Sequence, residues 1–290
     1  GLTRGSIYAL IALGYTLVYG IIGLINFAHG EVYMLGSFTA LLIAGALGVY
    51  GFPAGGILIV AALAAIVWCS AYGYTLEKVA YKPLRGAPRL SPLISAIGMS
   101  IFLQNYVLLA QTSDFVPFPN LLPEMDFLEH IDYVMGASDF LILMVSTFAM
   151  VSLSLFIRYT RMGKAMRATA QNRKMALLLG INADRIISLT FIIGSALAAL
   201  GGVLIASHMG QVNFGIGFLA GLKAFTAAVL GGIGSIPGAM VGGLVLGLAE
   251  SFTTGYFSGN YEDMLAFGIL ILILIFRPDG ILGKATVQKV

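Results

Sequence analysis

The stretch VYMLGSFTALLIAGALGVYGFPAGGILIVAALAAIVWCSAYGYTL, Val32 to Leu76, decides the fold. It runs for 45 residues without an Asp, Glu, Lys or Arg. At about 1.5 Å of rise per residue, a helix of that length is roughly twice what one crossing of a ~30 Å hydrocarbon core needs. The chain must therefore reverse inside it, and Gly48-Val49-Tyr50-Gly51-Phe52-Pro53 supplies the turn chemistry. Two membrane helices result, near 32–48 and 55–76. Working outward, further apolar runs predict spans near 5–25, 92–111, 140–157, 186–206, 220–234, 239–257 and 262–277. The segment 220–234 is short and glycine-rich, and reads equally as a full span, a half-helix or a re-entrant element. The expected fold is all-α: a polytopic membrane protein of about eight transmembrane helices, some of them short or broken, forming one domain over 1–290.

Composition agrees with that reading. Of 290 residues, 59% are hydrophobic and 10% charged, whereas a soluble domain carries about 25% charged residues. Soluble enzymes, nucleic-acid binders and disordered chains are excluded, and the solvent is a lipid bilayer. A single cysteine, Cys69, excludes a disulfide framework and argues against a metal cluster. The first apolar run is long and leads into further spans, unlike a cleavable leader. Because the chain starts at Gly1 and not at Met, further residues are expected ahead of it.

The charges orient the spans. Lys78, Lys82, Arg85 and Arg89 lie between the third and fourth runs. Arg158, Arg161, Lys164, Arg167, Arg173, Lys174 and Arg185 fill the segment at about 158–185, and Arg277, Lys284 and Lys289 the tail. The loop at about 112–139 holds Asp114, Glu124, Asp126, Glu129, Asp132 and Asp139 and no Lys or Arg. Positive loops stay inside, so the basic segments are cytoplasmic and the acidic loop is outside, which puts the first span's start outside as well.

An internal repeat is also expected. Asn26–Ala40 and Asn213–Ala227, offset by 187, share seven of fifteen residues, among them Asn26/Asn213, Gly30/Gly217 and Thr39/Thr226. Their spans would run in opposite directions, as in an inverted-topology transporter repeat, although shared small apolar composition also produces such matches.

Three motifs carry candidate function. Within GKAMRATAQNRKMALLLGIN (Gly163–Asn182), apolar and small residues recur near helical spacing and Gly180 suits a helix end. One amphipathic helix over Ala168–Gly180 is expected, either docked on a soluble partner or lying on headgroups. Asn26, His29 and Glu31, with Asn213 and Thr226 in the second half, are candidates for a translocation path, because polar groups in spans are costly. The asparagines suit structural hydrogen bonds equally well, and His29 and Glu31 could instead reach interfacial water. Finally, LGGIGSIPGA (Leu230–Ala239) breaks a helix and lets backbones approach. No G-x-x-x-x-G-K-[ST] loop occurs, so ATP hydrolysis would fall to another chain. No catalytic triad, metalloprotease motif or intramembrane carboxylate pair is visible, and Glu250 stands alone in its span.

The strings YALIALGYTLVYGIIG (Tyr8–Gly23), INFAHGE (Ile25–Glu31), LISAIGMS (Leu93–Ser100), KAFTAAVLGGIGSIPG (Lys223–Gly238) and PDGILG (Pro278–Gly283) resemble the H-type permease subunits of leucine/isoleucine/valine ABC importers. The resemblance runs nearly end to end and departs mainly in 112–139. It implies a bacterial inner-membrane assembly: this subunit, a homologous second permease, two cytoplasmic ATPases holding ATP and magnesium, and a periplasmic amino-acid-binding protein. No cofactor in this chain and no nucleic acid is implied. Arg167–Asn182 is similar to the coupling helix of ABC permeases, with Arg167, Ala168, Ala170, Met175, Ala176, Leu179 and Gly180 as the implied ATPase contacts; the acidic residue of the wider pattern is absent. Permeases of this family also serve urea and other amides, and a self-sufficient secondary transporter is the reading from another class.

Overall fold

A computed structural model describes residues 1–88, 90–121 and 136–283. Arg89, Glu124, Asp126, Glu129, Asp132, Lys284 and Lys289, used above to orient the chain, lie outside the described residues. The candidate spans are α1 (Leu2–Ile22), α2 (His29–Val49), α3 (Ala54–Leu76), α4 (Leu90–Ala110), α5 (Ala137–Tyr159), α8 (Ala183–Met209), α10 (Ile236–Tyr256) and α11 (Glu262–Phe276), the last lengthened by the 3-10 turn Gly259–Tyr261. Between them lie the short α6 (Arg161–Gln171), α7 (Arg173–Leu178) and α9 (Ile216–Gly231). Among the described residues, eight helical segments are long and apolar enough to cross a membrane, and the 16-residue α9 is a ninth apolar helix. The short strands β1 (Val116–Pro117) and β2 (Gln211–Val212) pair antiparallel beside the ends of α4 and α8.

The reversals are placed by local chemistry. Gly51, at φ 70°, and Pro53 turn α2 into α3. Gly232 (φ 106°) and Gly234 (φ 92°) end α9, and the Ser235 hydroxyl starts α10 by accepting from the Gly238 N–H at 3.2 Å. Lipid offers no hydrophobic drive between helices, so close backbone approach does the packing. At Gly5 a Cβ would lie 2.9 Å from both the Gly243 carbonyl oxygen and the Leu244 Cα, which is why α1 and α10 meet there without side chains between them. α1 and α8 are the most buried spans, whereas most of α11 faces outward.

The repeat is present in the packing. α1–α4 correspond to α8–α11: α1 packs on α10 as α8 packs on α3, and α2 on α3 as α9 on α10. Five spans precede α8, so the two sets run in opposite directions. Asn26 and Asn213 build the same turn. Their Oδ1 atoms accept from the N–H two residues on, Ala28 at 3.1 Å and Gly215 at 3.0 Å. Their carbonyls accept from the third residue, His29 at 3.0 Å and Ile216 at 3.4 Å. Gly30 and Gly217, equivalent at the offset of 187, touch: a Cβ on Gly217 would sit 2.7 Å from the Gly30 carbonyl oxygen. A residue that touches its own equivalent lies near the pseudo-twofold axis. α5, α6 and α7 have no counterpart in the second half.

Candidate functional site

The expected single helix over Ala168–Gly180 is two helices. Thr160 starts α6, its hydroxyl accepting from the Gly163 N–H at 3.0 Å. At Asn172 the backbone is extended (φ −158°, ψ 104°), and its side chain accepts from the Met175 N–H at 3.1 Å to begin α7. An asparagine that caps its own successor ends one helix and opens another, and this overrides apolar spacing that is continuous across it. α7 closes on Gly180, at φ 81°. The Ile181 N–H reaches the Ala176 carbonyl and the Gly180 N–H the Leu177 carbonyl, both at 3.0 Å, a Schellman closure. Four residues later α8 is under way, capped by Asn182. Of the expected contact residues, Arg167, Ala170, Met175, Leu179 and Gly180 are exposed, Ala168 is half-buried, and Ala176 is buried within the chain. Leu177 and Leu178 join Met175 and Leu179 in an apolar surface around α7, with Leu178 80% exposed.

Behind α7 lies an ionic cluster. Glu77, fully buried where α3 passes into a π-helical turn, pairs with Arg85, and its second oxygen accepts from the Ser188 hydroxyl at 2.8 Å. Arg85 Nη1 also donates to Asp184 Oδ1 at 2.6 Å, and Arg173 of α7 reaches the same oxygen at 3.2 Å. Lys82 lies 3.8 Å from Asp184.

The path candidates lie in the core. Asn26 Oδ1 also accepts from the Tyr81 hydroxyl at 2.8 Å. His29 and Glu31 do not reach water: they are 1% and 0% exposed, because the first turn of α2 is packed against α1 and α9. His29 meets Tyr15 edge-on at 4.8 Å between ring centroids. Glu31 Oε1 accepts from the Ser100 hydroxyl at 3.0 Å, and Oε2 lies against Gly217 in the first turn of α9. This places the carboxyl group at the N-terminus of α9. The buried Thr226 donates to the Leu222 carbonyl of its own helix at 3.0 Å. Asn213 is half-buried beside β2.

Glu250 is not alone. It accepts from the Tyr8 hydroxyl at 2.9 Å and lies 3.2 Å from the Lys223 ammonium. Lys223 also pairs with Glu262 at 3.0 Å and Asp263 at 2.9 Å, and Arg4 with Glu262 at 3.3 Å. One clue was legible. Arg4 and Lys223 are the only bases outside the three basic segments, and both point to this cluster.

A family model described as the permease component of the branched-chain amino acid transport system matches residues 1–274. The chain belongs to that family. It is 56% identical over 301 residues to the high-affinity branched-chain amino acid transport system permease protein BraD of Pseudomonas aeruginosa, covering all of this chain and 96% of that one. It is 54% identical over 294 residues to the corresponding LivH of Escherichia coli, with the same coverage. In fold alone it resembles PsaBC from Streptococcus pneumoniae, solved in complex with Fab, at a TM-score of 0.51 and 13% identity, covering 96% of this chain and 91% of that one. The chain is thus a multi-pass permease component. A permease needs no reacting groups of its own, and the charged clusters here join helix to helix rather than frame a cavity.

Proposed function

We propose that this permease moves branched-chain amino acids across the bacterial inner membrane by alternating access. It would do so paired with a homologous second permease, two cytoplasmic ATPases and a periplasmic amino-acid-binding protein. The observation that carries the reading is the near full-length identity to BraD and LivH, permease proteins of branched-chain amino acid transport systems. The apolar surface of α7 supports the ATPase contact. Met175, Leu177, Leu178 and Leu179 stand exposed on a short helix with fixed ends, beside basic segments and away from the spans' apolar faces. Four adjoining exposed apolar side chains mark an interaction surface, and the likeness to BraD and LivH favours a protein partner over lipid headgroups as its occupant. Asn26 and Asn213 accept through Oδ1, and Thr226 donates, within the chain, and in this reading these three position α2 and α9 rather than meet the substrate. The route itself then lies against the second permease.

Purification of the complex through a tag on this chain, followed by reconstitution with labelled leucine, tests the reading. Uptake is expected to require ATP and the binding protein, and to be competed by isoleucine and valine but not by urea. Uptake by this chain alone, without ATP, would show a secondary transporter, and competition by urea alone would move it to the amide class.

A further inference from the structure

We infer that Arg173, Asp184, Arg85 and Glu77 form a charged relay through which displacement of α7 moves α3 and α8 as one body. The inference rests on the reading of α7 as the ATPase contact.

The backbone joining α7 to α8 is a poor lever. It passes through Gly180 in a left-handed conformation and two further residues, Ile181 and Asn182, before α8 begins, so a push on α7 could be absorbed there. The side chains bypass this joint. Arg173, at the start of α7, reaches over it to Asp184 in the first turn of α8. There the carboxylate is also favoured by the helix dipole. Asp184 is held in turn by Arg85, which follows the end of α3, and Arg85 by Glu77. Ser188, one turn beyond Asp184 on α8, closes the ring on Glu77. Asp184, Arg85, Glu77 and Ser188 thus lock the cytoplasmic ends of α3 and α8 together, two helices that already pack along each other.

The two arms differ in burial, and that difference assigns their roles. Glu77 is fully buried and the Arg85 side chain only 10% exposed. Water cannot replace either partner, so this arm is a fixed pivot. Arg173 and Asp184 are 44% and 43% exposed. Water and salt compete at that arm, and it can break and re-form without stranding a buried charge. Lys82, 3.8 Å from Asp184, can hold the carboxylate when Arg173 leaves. The contact between α7 and Asp184 is therefore the reversible one, and Arg173 and Asp184 are positioning residues for the transport cycle.

The test uses the reconstituted complex with ATPase and binding protein, reading leucine taken up per ATP hydrolysed and the amount of ATPase retained on purification. Arg173→Gln, Asp184→Asn and the double variant form a cycle. Both residues are half-exposed, so the variants are expected to insert and retain ATPase. Each single variant should lower the uptake ratio by about threefold or more, and the double variant should fall no further than Asp184→Asn alone, which already removes the Arg173 contact along with those of Arg85 and Lys82. Restoration of most of the ratio by Arg173→Lys would agree with a charge contact. Single variants at the wild-type ratio, or losses that multiply in the double variant, overturn the relay. Met175→Asp is the control for the underlying reading. If it sheds ATPase while the cycle shows no effect, only the relay fails; if it retains ATPase and full coupling, the docking reading fails and the relay with it.

Discussion

Lys223 shows how a single residue can hold a membrane core together. Its side chain is 10% exposed, and its ammonium lies within 3.2 Å of Glu250, Glu262 and Asp263. Lys223→Met removes the cation and leaves Glu250, fully buried, against Tyr8 alone. Breaking one side of a buried pair costs about 3–5 kcal/mol, whereas replacing both sides with apolar or neutral groups is often close to neutral. Lys223→Met is therefore expected to lower the unfolding midpoint of the detergent-solubilised protein strongly, and Lys223→Met with Glu250→Gln to recover most of it. Equal loss in the single and double variants would mean that the pair is not what Lys223 supports. Residue chemistry was legible in sequence only as an oddity: a carboxylate in a span, and two bases outside the basic segments. The partner could not be read, because Tyr8 and Glu250 are 242 positions apart. Only the packing of α1 on α10 brings them together.

At the scale of elements, the segment from α6 to the start of α8 is a chain of capped pieces: Thr160, Asn172, Gly180 and Asn182 each set an end. Such ends are local, and Gly180 was readable in advance for that reason. Asn172 was equally local but was masked by apolar spacing that continues across it. Gly180 at φ 81° tolerates no β-branched residue without strain of order 1–3 kcal/mol. Gly180→Val should re-aim Leu179 and the surface of α7 while leaving the spans intact. The expected result is normal insertion with reduced ATPase retention on purification. Full retention would show that the end of α7 does not set the docking geometry.

For the whole molecule, the distribution of charge makes a single statement about sides. Asp114 lies exposed after α4 and Lys174 exposed on α7, with one span, α5, between them. Cysteines at the two positions, in a Cys69→Ser background, should react with a membrane-impermeant maleimide from opposite sides, position 114 from outside. Reaction of both from one side would overturn the orientation. The repeat belongs to this scale too. Seven matches in fifteen residues did not separate homology from composition, whereas twin turns at Asn26 and Asn213 and the contact of Gly30 with Gly217 do.

Sequence by itself determined the solvent, the spans and most of their breaks, and it sets the expectation for their sides. Those properties sum over local composition: lipid accepts only apolar helices, glycine and proline punctuate them, and lysine and arginine resist crossing. The likeness of its motifs to known permeases came from the same local strings. Tertiary structure alone decided which buried charges meet, that His29 and Glu31 are sealed from water, that Asn26 holds Tyr81, and that α7 touches α8 through Arg173 and Asp184. In lipid a buried ionic group is tolerable only beside a partner, and the partner's identity depends on which helices lie side by side, a relation between distant parts of the chain that no local pattern encodes.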